Sequence, residues 1–176
     1  MEHGHGPGMM PATGDAGSGW LAWLQGSPLG VAMRESLWLY PAVEILHILG
    51  FVLLVGAVIG FDLRLAGWRG RGLPADGLAR LLLPLSVAGF VLAVMSGLAL
   101  FTVEATAYVR NPAFLAKLAL VALALLNILA FHGGAGRRIS CWGTDPSPPP
   151  AARLAGIASL LLWVAALAAG RLIAYM

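Results

Sequence analysis

Apolar positions in this chain do not alternate with polar ones. They run together in four long blocks, each about the 20 residues needed to cross a hydrocarbon core. The blocks cover 41–61, 81–101, 112–131 and 154–174, and each predicts a membrane-spanning helix. Turn chemistry punctuates them. Asn111 followed by Pro112 reads as an N-cap and first-turn proline for the third helix. The glycines of "HGGAG" at 132–136 end that helix, and "DPSPPP" at 145–150 breaks the next connection.

Before the first block, residues 20–40 follow another pattern. "WLAWLQG" is short and aromatic, and Ser27 and Pro28 then open a segment mixing Arg34 and Glu35 with Leu29, Met33 and Leu37. It is too short and too polar to span. It predicts an interfacial amphipathic helix, with Trp20, Trp23, Trp38 and Tyr40 at headgroup level. Residues 1–19, rich in Gly, Pro and small polar side chains, predict a flexible tail. They show neither the basic nor the apolar region of a secretory signal. The expected architecture is all-α: a four-transmembrane-helix bundle forming one membrane domain over 20–176.

Composition supports this class. Of 176 residues, 59% are hydrophobic and 11% charged, and the mean hydropathy is +0.83. A soluble domain carries roughly a quarter charged residues. The formal charge of +3 does not point to nucleic acid, because the arginines sit between helices. Arg64, Arg69, Arg71 and Arg80 follow the first helix, and Arg137, Arg138 and Arg153 follow the third. By the positive-inside rule these connections are cytoplasmic and both termini lie outside. In a Gram-negative bacterium that is the inner membrane with a periplasmic tail. Cys141 is the only cysteine, which excludes an intrachain disulfide or a cysteine-built metal site.

Ionisable groups inside spans are costly and need a reason. Counted at about 1.5 Å per residue, Glu44, His47, Lys117 and Arg171 fall in the same outer half, with Met95 near the depth of His47. Glu44 and His47 stand at i and i+3, about 60° apart on one helix face. Either they satisfy one another or anchor to Arg34, or His47 is a ligand or proton carrier that Glu44 orients. Lys117 lies at a helix N-terminus, where the dipole does not favour a cation, so it calls for an anion. That anion is Glu44 or a carboxylate on a bound cofactor. Arg171 poses the same choice, or snorkels to the surface. Asp62 and Arg64 read as a cap or loop anchor at the inner end. Lys117 and His132 are about 22 Å apart along one helix, so His47 and His132 cannot share a metal.

The tail adds one more candidate. His3 is third from the amino terminus, so a free amine, two backbone amides and its imidazole form a square plane for Cu(II) or Ni(II). His5, Met9 and Met10 add further donors. A tail with chance histidines is the alternative.

"RESLWLYPAVEILHILG" followed by "FDLRLAG" resembles an uncharacterised family of small bacterial inner-membrane proteins, over most of the chain from Trp20. More distantly, "ILHILGFVLLVGAVIGFDLRL" and "FLAKLALVALALLNILAFH" resemble two helices of the HemJ-type membrane protoporphyrinogen oxidase, and the first helix is similar to that of the CopD copper-resistance membrane domain. The HemJ resemblance implies haem b and functional roles at positions matching His47 and Lys117, with Arg64 matching an arginine after the first helix. The tail, the interfacial segment and Glu44 depart from that pattern.

Three functions follow as expectations. One is a haem b or tetrapyrrole redox protein, with His47 as axial ligand, Met95 opposite or an open sixth position, and Lys117, Arg171 and also Arg110 as candidates for the propionates. Another is a copper-handling protein using His3, His5, His47, Met95 and Glu44. The third is a non-catalytic subunit of a membrane complex or homo-oligomer, since "LALVALALLNILAF" and "GIASLLLWVAALAAG" carry the small residues of close helix packing. No nucleophile motif or phosphate-binding glycine loop supports a particular enzyme class.

Overall fold

The structure is a computed structural model that describes residues 16–68, 70, 72–145 and 147–175. Residues 1–15, with the proposed tail ligands His3 and His5, lie outside the described residues, as do Arg69 and Arg71.

Every element is helical: α1 (Ala16–Gln25), α2 (Pro28–Glu35), α3 (Leu39–Leu65), α4 (Ala75–Phe101), α5 (Ala105–Tyr108), α6 (Pro112–Gly133), α7 (Ile139–Trp142) and α8 (Pro150–Leu172). Four of them are long and apolar enough to cross a membrane. Their outward faces carry large hydrophobics such as Val52, Val91, Leu126 and Leu161, each more than half exposed. Such a surface belongs in lipid.

The start signals work as the sequence suggests. Asn111 Oδ1 accepts from the backbone N–H of Ala113 and Phe114 at 2.9 and 3.2 Å. Ser27 Oγ accepts from Gly30 N–H at 3.2 Å. The interfacial segment is two short helices rather than one, and α1 begins at Ala16, inside the expected tail. Arg34 ties them to the bundle. Its guanidinium donates to the carbonyls of Gln25 at 2.7 Å and Val103 at 3.1 Å.

The second span starts at Ala75, earlier than the apolar run suggests. Asp76 and Arg80 look like loop residues, yet they form an exposed i,i+4 pair at 3.8 Å on one side of a continuous helix. Ala75 itself is fully buried and its N–H donates to Gly143 O at 2.7 Å. Around it Phe61, Leu65, Phe131, Trp142 and Ala152 form one core cluster, and Leu54, Val55, Val58, Ala124 and Trp163 form another.

The helices pack in the order α4, α3, α8, α6, while α4 and α6 do not close on each other. Small residues set the contacts. A Cβ at Gly50 would lie 2.6 Å from Ala93 N, and one at Gly89 only 2.5 Å from Leu54 N. Backbone therefore meets backbone where α3 crosses α4. Gly156 does the same for α8 on α3, where a Cβ would come 2.8 Å from Leu65 Cβ.

Arg64 anchors the loops at the far end. It is 1% exposed. Its Nε donates to Leu73 O at 2.8 Å, and Nη2 to Gly143 O and Asp145 O at 3.0 and 2.8 Å. It therefore serves as the loop anchor that the sequence suggested. Asp62 does not join it, but is buried toward α8 beside Ser159.

Candidate functional site

The close α3–α4 crossing places His47 against the backbone of α4. Nδ1 of His47 lies 2.8 Å from Ala93 O and 3.2 Å from Ser96 Oγ. A carbonyl only accepts, so Nδ1 carries the hydrogen, and in the neutral ring Nε2 presents a lone pair. Gly97 leaves room for the ring: a Cβ there would sit 3.0 Å from His47 Cε1. Ser96 is held in turn, donating to Leu92 O at 2.6 Å.

Nε2 faces Lys117 Nζ at 3.4 Å. Lys117 reaches it from α6, its stem lying over Gly170 of α8, where a Cβ would be 3.4 Å from Nζ. Phe51, one turn along α3, closes the cluster. Its ring centroid is 4.9 Å from Nζ and 5.4 Å from the imidazole centroid, edge-on. Four helices thus build one small polar site, with both ionisable groups half-buried. Among the described residues the one ion pair is that of Arg80 and Asp76, so no carboxylate neutralises Lys117.

The other expected site residues stand apart. Glu44 is exposed and acts electrostatically on Tyr40 and Tyr108. The group that orients His47 is the Ala93 carbonyl instead. Arg171 is exposed, with Nη2 3.3 Å from Tyr175 OH and its guanidinium over that ring at 5.5 Å. Met95 is 63% exposed and makes no part of the cluster. His132 lies at the other end of α6, bonded to Ile128 O at 2.9 Å. The additions that sequence reading missed are Ser96, Phe51 and the two glycines. The small residues Gly89, Ala93, Ser96 and Gly97 at helical spacing on α4 were the visible trace of Ser96 and Gly97; Phe51 on α3 and Gly170 on α8 left none.

Fold and site together define a four-span, all-α integral membrane protein with a half-buried histidine–lysine pair. Comparison of the chain with protein families, curated proteins and solved structures finds no match to any of them.

Proposed function

We propose that the protein binds haem b, or a similar metal tetrapyrrole bearing propionates, at the His47–Lys117 pair and serves in membrane redox chemistry. One observation carries this reading: a fixed imidazole accepts from Lys117 Nζ at 3.4 Å, and among the described residues no carboxylate pairs with that lysine. A simple anion would suit Lys117 but meet the lone pair of Nε2. A bare metal ion would suit Nε2 but be repelled by the ammonium. A ligand with a metal centre and carboxylates of its own suits both.

The donor set fits that group. His47 would hold the metal through Nε2, with its ring oriented by Ala93 O and Ser96, the outer support typical of ligating histidines. Lys117, kept in place by Phe51 and Gly170, would pair with a propionate. Bound haem supplies one-electron redox chemistry. Met95, Glu44 and Arg171 receive no role from their placement. Copper is the less favoured reading. It would find a single imidazole beside a cation, and the described residues hold no group of three His, Cys, Asp or Glu side chains suited to a metal.

The arginine distribution orients this site toward the outer, periplasmic leaflet. The test is the absorption spectrum of protein purified from haem-replete cells. A Soret band that His47→Ala removes is expected, and a colourless wild-type protein overturns the proposal.

A further inference from the structure

A second feature lies at the end of the bundle where α5 joins α4 to α6. An open cavity of about 290 Å³ sits there, with Glu104, Tyr108, Arg110, Asn111 and Ile173 in its lining. Ligand sites start at roughly 300 Å³, so the volume suits a head group rather than a whole lipid.

Two of the lining side chains carry opposite charges, and both are exposed. They do not pair, because the one ion pair among the described residues is that of Arg80 with Asp76. Arg34 does not neutralise Glu104 either. Its guanidinium is bonded to the carbonyls of Gln25 and of Val103, the residue before Glu104. A cation and an anion thus line one cavity, each without a charged partner.

Tyr108 forms a fixed wall. Its ring stacks on Phe101 at 6.1 Å and meets Phe114 at 5.5 Å, and those two stack on each other at 5.6 Å. Burial first, and then Tyr40, Glu104 and Glu44, hold its hydroxyl in the protonated form. The oxygen can therefore accept a hydrogen bond as well as donate one.

The neighbouring helix shows the depth of the cavity. α5 packs on α1, whose Trp20 and Trp23 are more than half exposed. Exposed tryptophans belong at the head-group level of a bilayer. A lipid head group held at that level meets the cavity at high effective concentration.

Charge then selects the head group. A phosphate alone would suit Arg110, which can take it bidentately, but would be repelled by Glu104. An ammonium alone would suit Glu104 and be repelled by Arg110. A zwitterion with the two charges close together meets both. Its ammonium faces the oxygens of Glu104 and Tyr108, so it needs N–H groups to donate. A trimethylammonium has none and is recognised by cages of aromatic faces, whereas this lining holds one ring.

We propose that this cavity binds the phosphoethanolamine head group of a phosphatidylethanolamine lipid, with Arg110 on the phosphate and Glu104 on the ammonium. The site is independent of haem at His47.

The test places the full chain in nanodiscs of equal parts phosphatidylethanolamine, phosphatidylcholine and phosphatidylglycerol. Native mass spectrometry then reads which lipids the released protein retains. Phosphatidylethanolamine should be enriched about tenfold over phosphatidylcholine, the weight of one charge-assisted hydrogen bond. Glu104→Gln and Arg110→Gln should each remove that enrichment, and exposed substitutions of this kind leave folding nearly untouched. Equal retention of the three lipids by wild type overturns the proposal, and so does an enrichment that both variants keep. Preference for phosphatidylglycerol, lost with Arg110→Gln and kept with Glu104→Gln, overturns it and marks a plain anion site. The last arm titrates free phosphoethanolamine calorimetrically into protein in phosphatidylcholine nanodiscs. Saturable binding there, without lipid selectivity in the first arm, overturns the lipid assignment and marks a soluble zwitterion instead.

Discussion

His47 Nε2 and Lys117 Nζ stand 3.4 Å apart although seventy positions separate them in the chain. Neither reaches the other by chance of a flexible tip. The imidazole is fixed through Nδ1 to Ala93 O, and the lysine stem is bedded on Gly170. Replacing Lys117 by Met keeps the bulk and removes the charge. Haemin affinity should fall about tenfold for one lost charge-assisted contact, while the Soret position should hold because the axial nitrogen is untouched. A Soret shift without an affinity change would place Lys117 at the metal instead.

The site depends on how closely α3 and α4 approach. Gly89→Ala sets a methyl 2.5 Å from Leu54 N, which backbone cannot yield to without moving. Thermal unfolding in detergent should show a loss of about 1–3 kcal/mol, the usual cost of overpacking. The same shift moves Ala93 O away from His47, so haemin binding should weaken too. An unchanged melting temperature would mean that the crossing is looser than described.

Arg64 holds two loops by three backbone carbonyls. In Arg64→Ala those carbonyls lose a charged donor, and bonds of this kind are worth roughly 1.5–3 kcal/mol each at most. Limited proteolysis should then open the chain near 72–75 or 143–145 well before wild type. Arg64→Lys should recover only part of the protection, because an ammonium cannot span three acceptors as the planar fork does. Wild-type resistance in Arg64→Ala would remove its role as anchor.

Tyr108, in the short α5 outside the spans, stacks on Phe101 with a centroid distance of 6.1 Å and meets Phe114 in a tilted arrangement at 5.5 Å. Burial raises its hydroxyl pKa above the ordinary value near 10.0, and Tyr40, Glu104 and Glu44 push it the same way. The folded state thus holds this proton more tightly than the unfolded state. Its contribution to stability is whole below pH about 10 and is lost as pH rises through the folded value. In a phenolate absorbance titration, Tyr108→Phe should delete a late-titrating component. Deletion of a component at the ordinary tyrosine value would contradict the burial.

What could be read from the sequence was depth. Residue counts placed His47 and Lys117 in the same half of the bundle, and Asn111 and Ser27 marked their helix starts. What could not be read was rotation. These helices are apolar on nearly every side, so periodicity does not say which face turns inward. Glu44 is close to His47 in sequence yet points out, and Met95 is turned outward as well. The same blindness hid Asp62. A carboxylate near a helix end reads as a cap, and only packing against α8 shows it buried. Asp76 and Arg80 misled in the other direction, since an exposed polar stripe in the first turns of α4 looks like a loop.

The most direct measurement titrates haem-free protein with haemin in lipid nanodiscs, comparing wild type with His47→Ala. One haemin per chain should bind to wild type with a Soret band, and His47→Ala should lose both the band and saturable binding. Equal binding by the two proteins would contradict the proposal that His47 holds the haem, and with it the central claim.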